Sequence, residues 1–537
     1  MANPSVRGVK FVLAIVFAVG AQAAAATATI PPLYTPAPSF NLNSRITSTT
    51  VFHWFSANNG QLAGPWRPPE GRAAWDGSVP FWKGQIKDIM DANIDVMYVH
   101  LIPGMTTFAP ENQRVNLFTA AAQLRAEGYK TPRIAPFLDP IITWEPDFGW
   151  GPIDVATPAG KDAWAGQYVR FYQQYFSVNT DASAGDFIAK INNKPIINTW
   201  LAPTSHVQNM GSLTRADVES RLSAQLGPLF ASGVHAVRPV NAPAPTWSDE
   251  AMVQFESNAQ YLFTAPNANG VKTAQVKPGY WDQNIRTPGQ ILKRDGGVNY
   301  KNAWSQVNSM KTAGEPLYRV NIESWNEYDE GSGIHAASPG APYIAPSNTS
   351  GNTDTWSTTN NPREYIDATA AGARSYNDTP DRDARFLFVD FPSEMFVGER
   401  KSVTVIVRNE GDIQWPANQS YNFGQQDFQP GEVRFIDQPN WRDFIIGAEN
   451  EISTYGGIFR GRPVKFEFDL VAPATAGTYQ THWGMVNEGV TWFGQTLTAP
   501  ITVSVPEPAG AGLILASLAS FAALRRRRRW SRARARA

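Results

Sequence analysis

Glu327, Asp329 and Glu330 crowd the end of the stretch Tyr318-Arg319-Val320-Asn321-Ile322-Glu323-Ser324-Trp325-Asn326-Glu327-Tyr328-Asp329-Glu330-Gly331, an apolar run that breaks into a cluster of acids. Carboxylates held this close are costly unless something uses them, because each charge disfavours ionisation of the next. Cleavage of a glycosidic bond uses such a pair: one carboxyl gives a proton to the departing oxygen while another stays ionised. Glu327 and Glu330 are three positions apart, so a single helical turn would put both on one face. Acids after a strand also cap helices or pair with arginine, and these residues alone leave that reading open.

The elements that must position the acids follow from pattern. Tyr318, Val320 and Ile322 alternate with polar neighbours as in a half-buried strand, and Gly331 and Gly333 release the chain into a loop. From Arg45 to about Thr369, strand-like and helix-like segments alternate, the pattern of a parallel α/β domain. Expected strands cover residues 51–55, 94–101, 133–139, 194–200, 234–240, 274–278 and 318–322, with an eighth hidden near 254–263. Expected helices cover residues 82–92, 114–127 and 161–176. The fold predicted for residues 45–377 is a (β/α)8 TIM-type barrel, whose chemistry sits at the C-terminal strand ends. That rule gathers His53, Trp54, Phe55, His100, Asp139, Trp144, Trp200, Arg238, Tyr280, Trp281, Asp282 and Glu327 to Glu330 around one mouth. The aromatic residues, with Trp150 and Trp247, suit sugar rings, which stack their C–H faces on rings while their hydroxyls seek amides and carboxylates. His53 and His100 are candidates for substrate hydroxyls or for satisfied core histidines.

Two motifs sharpen this reading. Asn326-Glu327-Tyr328-Asp329-Glu330-Gly331-Ser332 resembles the Asn-Glu-Trp-x-Glu-Gly-Thr signature of glycoside hydrolase family 99, the endo-acting α-mannosidases and -mannanases. Val276-Lys277-Pro278-Gly279-Tyr280, followed by Ile285-Arg286 and by Arg294-Asp295-Gly296-Gly297 with Tyr300, resembles a second segment of that family. The resemblance implies a retaining hydrolase in which one glutamate deprotonates the sugar's 2-hydroxyl to form a 1,2-anhydro intermediate and the other protonates the leaving oxygen. By motif position Glu327 would be the base and Glu330 the acid, so Glu330 is expected to hold the proton. Asn326, Tyr280 and Arg286 would orient substrate or the acids, with Asp282, Tyr328 and the other mouth residues contacting sugar. Tyr328, Trp281 and His335 depart from the family pattern, which leaves an α-mannan, an α-glucan, a galactan or a bacterial exopolysaccharide as substrate. A non-catalytic exopolysaccharide binder and a glycosyltransferase-like barrel are the other classes.

Composition narrows the field. The 537 residues carry a formal net charge of −1, so no basic body for nucleic acid is present, and the absence of cysteine excludes disulfides and thiolate zinc sites. The six histidines form no His-Glu-x-x-His pair, and neither a metal nor another cofactor is expected.

Both ends read as addresses. Arg7 and Lys10, an apolar stretch from Phe11 to Val19, and Ala21-Gln22-Ala23 fit a signal peptide over residues 1–23. Residues 505–537 run Val505-Pro506-Glu507-Pro508, an apolar span to Leu524, then Arg525 to Arg529. That order resembles the Pro-Glu-Pro C-terminal sorting signal of Gram-negative bacteria, which implies an exosortase-type processing enzyme as partner and transient membrane contact through the span. A plain C-terminal anchor is the alternative, and either leaves the body outside the inner membrane.

After a polar linker near residues 377–384, residues 385–504 change texture. Lys401 to Val407 and Lys465 to Leu470 alternate like strands of a β-sandwich. With Trp415, Trp441, Trp483 and Trp492, the module resembles a four-tryptophan, immunoglobulin-like domain, the tryptophans being read as core and the module as a spacer or accessory binding domain.

Overall fold

The structure, a computed structural model, describes residues 39–506 except 61, 103–110, 141–151, 182, 203, 241–244, 254–258, 417–420, 427–432 and 437–456. Trp144, Trp150, Trp441, residues 1–23 and residues 507–537 of the C-terminal address segment lie outside the described residues. Among the described residues, no helix is long and apolar enough to cross a membrane.

The first domain is built on β1 (Ile46–Val51), β2 (Val96–Leu101), β3 (Arg133–Leu138), β4 (Lys194–Thr199), β5 (His235–Pro239), β6 (Glu250–Met252), β7 (Tyr261–Phe263), β8 (Lys272–Val276) and β9 (Leu317–Ile322). They pair in the order β7-β8-β9-β1-β2-β3-β4-β5-β6. Every ladder along this path is parallel except β7 with β8. The parallel strands therefore follow chain order, and the last, β9, returns to the first, β1, with Ile46 opposite Arg319.

Among the described residues the strands do not close into a complete (β/α)8 barrel. Among the described residues no ladder joins β6 to β8; the gap is spanned by the Thr273 hydroxyl, which donates to the Ala251 carbonyl at 3.0 Å. No helix stands among the described residues between β5 and β6 or between β6 and β8. The strand expected near 254–263 resolves into β6, placed earlier, and the antiparallel β7. The first strand also lies upstream of the expected Val51–Phe55. Ile46–Val51 is rich in threonine yet wholly buried, and the Ser48 and Thr49 hydroxyls donate to the β9 carbonyls of Val320 and Ile322.

Helices α1 (Val79–Asp91), α2 (Glu111–Ala126), α3 (Pro158–Val178), α4 (Arg215–Leu226), α5 (Val298–Thr312) and α6 (Glu364–Tyr376) cover the sheet. Local chemistry sets their starts: Ser78 and Thr157 accept backbone N–H groups of the first turns of α1 and α3, each with proline there, and Thr214 and Asp217 form a reciprocal capping box on α4. Trp82, Ile86 and Ile89 of α1 recur on one face and enter the main core with Leu117, Leu124, Trp164 and Tyr172.

The second domain is a two-sheet sandwich. One sheet joins Ala384–Val389, Arg400–Asn409 and Pro463–Val471; the other joins Glu394–Phe396, Thr491–Ser504, Gly477–Asn487 and Tyr421–Gln425. Alternate residues of Arg400–Asn409 are buried from Val403 on, as the sequence pattern requires. Trp415 and Trp483 are buried in its core, and Trp492 is half-buried. Its Phe459–Arg462 turn docks on the first domain at the foot of the sheet. Arg462 donates to both carboxylate oxygens of Asp91 at 3.0 and 2.8 Å, and Arg460 reaches Asp95 at 3.2 Å.

Candidate active site

β9 ends at Ile322, and the next residues fold back on themselves instead of continuing as strand or helix. Ser324 accepts the Glu327 N–H on its hydroxyl at 2.6 Å, Ser332 N–H donates to the Glu327 carbonyl, and Gly331 N–H closes a turn onto the Tyr328 carbonyl. The single helical turn expected for Glu327 and Glu330 is thus a hydrogen-bonded loop. Gly331 has φ +60°, and a Cβ there would meet Pro65 at 3.0 Å and the Trp281 carbonyl at 3.1 Å, so only glycine closes this turn cleanly.

The two glutamates end up in unlike surroundings. Glu327 is buried, with Glu330, Asp329 and Glu323 as charged neighbours; burial first, then these carboxylates, pushes its carboxyl well above the usual range. Glu330 is more accessible, its side chain 22% exposed, and Arg286 donates to it across a 2.7 Å ion pair. Arg286 also binds Asp282 at 2.8 Å and the Tyr280 hydroxyl at 3.0 Å. Burial, then Glu330 and Asp282, pushes the Tyr280 phenol up, which keeps it a neutral donor. The carboxyl that its surroundings push up is thus Glu327, which among the described residues meets no cation, whereas the sequence reading expected Glu330, the member that faces a guanidinium.

Asp329 does not join this pair as an equal. It accepts the N–H groups of Ala63 and Gly64 at 2.7 and 3.2 Å, tying the loop after β1 to the site, while burial pushes its carboxyl up to about 6. Asn326 is spent on backbone as well, accepting from Phe52 N–H and donating to Phe52 carbonyl, both at 2.8 Å. Its amide locks the end of β1 to the acid loop and makes no orienting contact to either glutamate. Tyr328, expected to meet sugar, is buried against Phe55, Trp75 and His335. Burial pushes His335, where the family pattern has an acid, down to about 3, so it packs as a neutral ring.

Three of the remaining expected residues, Trp54, His100 and Asp139, form a linked polar group. Trp54 Nε1–H donates to His100 Nδ1 at 3.0 Å, which leaves Nε2 to carry the hydrogen towards Asp139 at 3.1 Å. All three side chains are buried. His53 is buried too and pushed well below its usual value by burial, then by Arg114 and His100. Trp200 is partly buried and stacks on Phe137. Trp281 packs edge-on against Trp66, and Trp247 Nε1–H is bound by the Leu213 carbonyl. Arg238 donates to the Pro239 carbonyl at 3.0 Å. Among the described residues, no group of His, Asp and Glu is arranged to hold a metal.

Sequence reasoning missed two supports. Lys277 and Glu323, at the ends of β8 and β9, form an ion pair at 3.0 Å with both side chains fully buried. Arg294, buried among Trp66, Trp356 and Tyr365, donates to the carbonyls of Gly331 and Gly333, both at 2.7 Å. The first shows only once Val276 is known to pair with Ile322; the second lay unused in the Arg294-Asp295-Gly296-Gly297 motif.

Comparison with known proteins gives a domain and a weak likeness. A family model described as the Ig-like domain from next to BRCA1 gene matches residues 393–503. No curated protein matches the chain. Among solved structures, the chain is similar to the GH99 endo-alpha-mannosidase from Bacteroides thetaiotaomicron, with 15% identity over 63% of this chain and 98% of that one and a TM-score of 0.43. A second structure of that mannosidase, in complex with BIS-TRIS-Propane, gives 14% identity, 62% and 98% coverage and a TM-score of 0.44. A glycoside hydrolase-like protein follows with 12% identity, 63% and 96% coverage and a TM-score of 0.39. The second domain is thus Ig-like by its family model, and what the first does rests on its own side chains.

Proposed function

We propose that the first domain is a glycoside hydrolase acting on a polysaccharide or oligosaccharide through Glu327 and Glu330. The observation that carries this is the unlike pair: two neighbouring glutamates, one buried with no cation on it among the described residues and one bound to Arg286. Such a pair supplies an acid and a base at one pH. In the 1,2-anhydro route, Glu330 takes the proton from the 2-hydroxyl as that oxygen attacks the anomeric carbon. Glu327 gives its proton to the leaving oxygen as the glycosidic bond breaks. Water then opens the epoxide at the anomeric carbon, returning a proton to Glu327 while Glu330 hands its own back to the 2-oxygen. These roles are the reverse of those implied by motif order.

Incubation with an oligosaccharide panel, followed by NMR of product anomers, tests the activity and its stereochemistry together. Glu327→Gln and Glu330→Gln test the roles. A glycosyl fluoride needs no protonated leaving group, so it should rescue Glu327→Gln and not Glu330→Gln; the opposite rescue restores the motif-order assignment. Tight binding with no cleavage by the wild type would make the domain a polysaccharide-binding protein. Export and C-terminal sorting to the surface of a Gram-negative bacterium belong to the same proposal, and cell fractionation of the full chain tests them.

A further inference from the structure

Two segments meet at the acids, and their bases are tied together out of reach of solvent. Lys277 follows β8 and starts the segment running through Tyr280 and Asp282 to Arg286; Glu323 follows β9 and starts the segment running to Glu327 and Glu330. At the tips, Arg286 binds Glu330 at 2.7 Å. Midway, Trp281 N–H donates to the Glu330 carbonyl at 2.7 Å. At the base, the Lys277 ammonium binds Glu323 at 3.0 Å and lies 5.2 Å from the centre of the Tyr280 ring. The three links make a ladder whose lowest rung is an ion pair with no exposed side-chain surface. Stability alone gives no reason for that rung, since an apolar pair of similar volume is often neutral or better than a buried ion pair.

Resting on the hydrolase reading, we propose that the Lys277–Glu323 pair is a positioning element of the site: it braces the Arg286 segment against the acid segment and fixes one compensated carboxylate at the base of the segment that carries Glu327. Neither residue touches substrate in this scheme. Each acts through others, Glu323 through the charge felt by Glu327 and Lys277 through Glu323 and Tyr280.

The test compares Glu323→Gln, Lys277→Met and the double variant Lys277→Met/Glu323→Leu with wild type, on whichever panel oligosaccharide the wild type cleaves. Glu323→Gln removes the negative charge and keeps the shape. It should lower kcat about tenfold with KM little changed, and move the alkaline limb of the pH profile down by about one unit, because Glu327 gives up its proton sooner. Lys277→Met leaves Glu323 uncompensated and should lower the Tm. The double variant should recover the wild-type Tm without recovering kcat. A Glu323→Gln enzyme with wild-type kcat and pH limb, or a double variant that recovers kcat along with Tm, overturns the proposal. One readout needs no substrate. Glu323→Gln should change the pH dependence of Tm when Glu327 is present and leave it unchanged in a Glu327→Gln background; equal effects in both backgrounds overturn the proposal. If the wild type cleaves nothing on the panel, the hydrolase reading fails and this melting cycle alone judges the pair.

Discussion

Two buried glutamates at opposite ends of the same sheet have opposite fates. At the foot, Glu250 opens β6 and is fully buried, yet Arg319 of β9 grips both its oxygens at 3.1 and 2.7 Å and His235 of β5 stands 3.1 Å away. Burial would raise its carboxyl, but the charge of Arg319 and the hydrogen bond of His235 outweigh that and hold it below the usual range. At the mouth, Glu327 is buried just as well, and its charged neighbours are acids. The foot resolves its charge locally and works as a fastener. The mouth leaves acids in excess: Lys277 meets Glu323 and Arg286 meets Asp282 and Glu330, while among the described residues neither Glu327 nor Asp329 is paired with a cation. Depth alone therefore does not distinguish a structural carboxyl from a reactive one; the sign of the nearest charge does.

Substitutions at the two ends should accordingly fail in different ways. The largest effect is expected from Glu327→Gln, which should cut cleavage on the order of 10³-fold while leaving the fold intact, as read by product assay beside circular dichroism. If the foot is a fastener, Arg319→Met should do the converse. Stranding Glu250 should cost about 3–5 kcal/mol in urea unfolding, with kcat of the protein that remains folded unchanged. Should Arg319→Met instead lower kcat at full folding, the contrast between the ends breaks.

Acidity gives a third, smaller effect. Asp329 is raised to about 6 and Glu327 is raised well above its usual value, so both keep protons in the folded protein that the unfolded chain has lost. Their contribution is complete below the unfolded value of about 4 and is lost as pH rises through the folded values. Glu327→Gln should therefore gain in Tm relative to wild type as pH rises above about 4; a Tm difference between the two proteins that does not change with pH contradicts the assignment. The smallest effect belongs to Tyr328. Its hydroxyl is buried and meets no hydrogen-bond partner among the described residues, so Tyr328→Phe should be neutral or stabilising by up to about 1 kcal/mol in the same unfolding experiment.

Much of the scaffold was legible because its strands are apolar. β2 to β5 and β9 lie within one or two residues of the expected spans, since their residues repeat the buried-strand pattern. β1 was misplaced because its hydroxyls are satisfied by β9, which hydropathy cannot see, whereas the strongly apolar Phe52 to Phe55 are used to wall the mouth. β6 was hidden because it is short and begins with an acid whose partner, Arg319, arrives 69 residues later. The helices α4 and α5 went unread for a similar reason, carrying few buried apolar positions among many polar ones, whereas α6 buries Tyr365, Ile366, Ala368, Ala373 and Tyr376 and was passed over all the same.

By itself the sequence determined the inventory: an acid-rich stretch after a strand, a Lys-Pro-Gly-Tyr segment upstream of it, and a downstream module with two-residue periodicity. Tertiary structure alone decided that Lys277 lies against Glu323, that Arg286 takes Glu330, and that Glu327 is buried among acids that push its carboxyl up. The reason is physical. Strand identity is a property of neighbouring residues, whereas the charge state of a carboxyl depends on its depth and on which cation the pairing of two distant strands brings within reach.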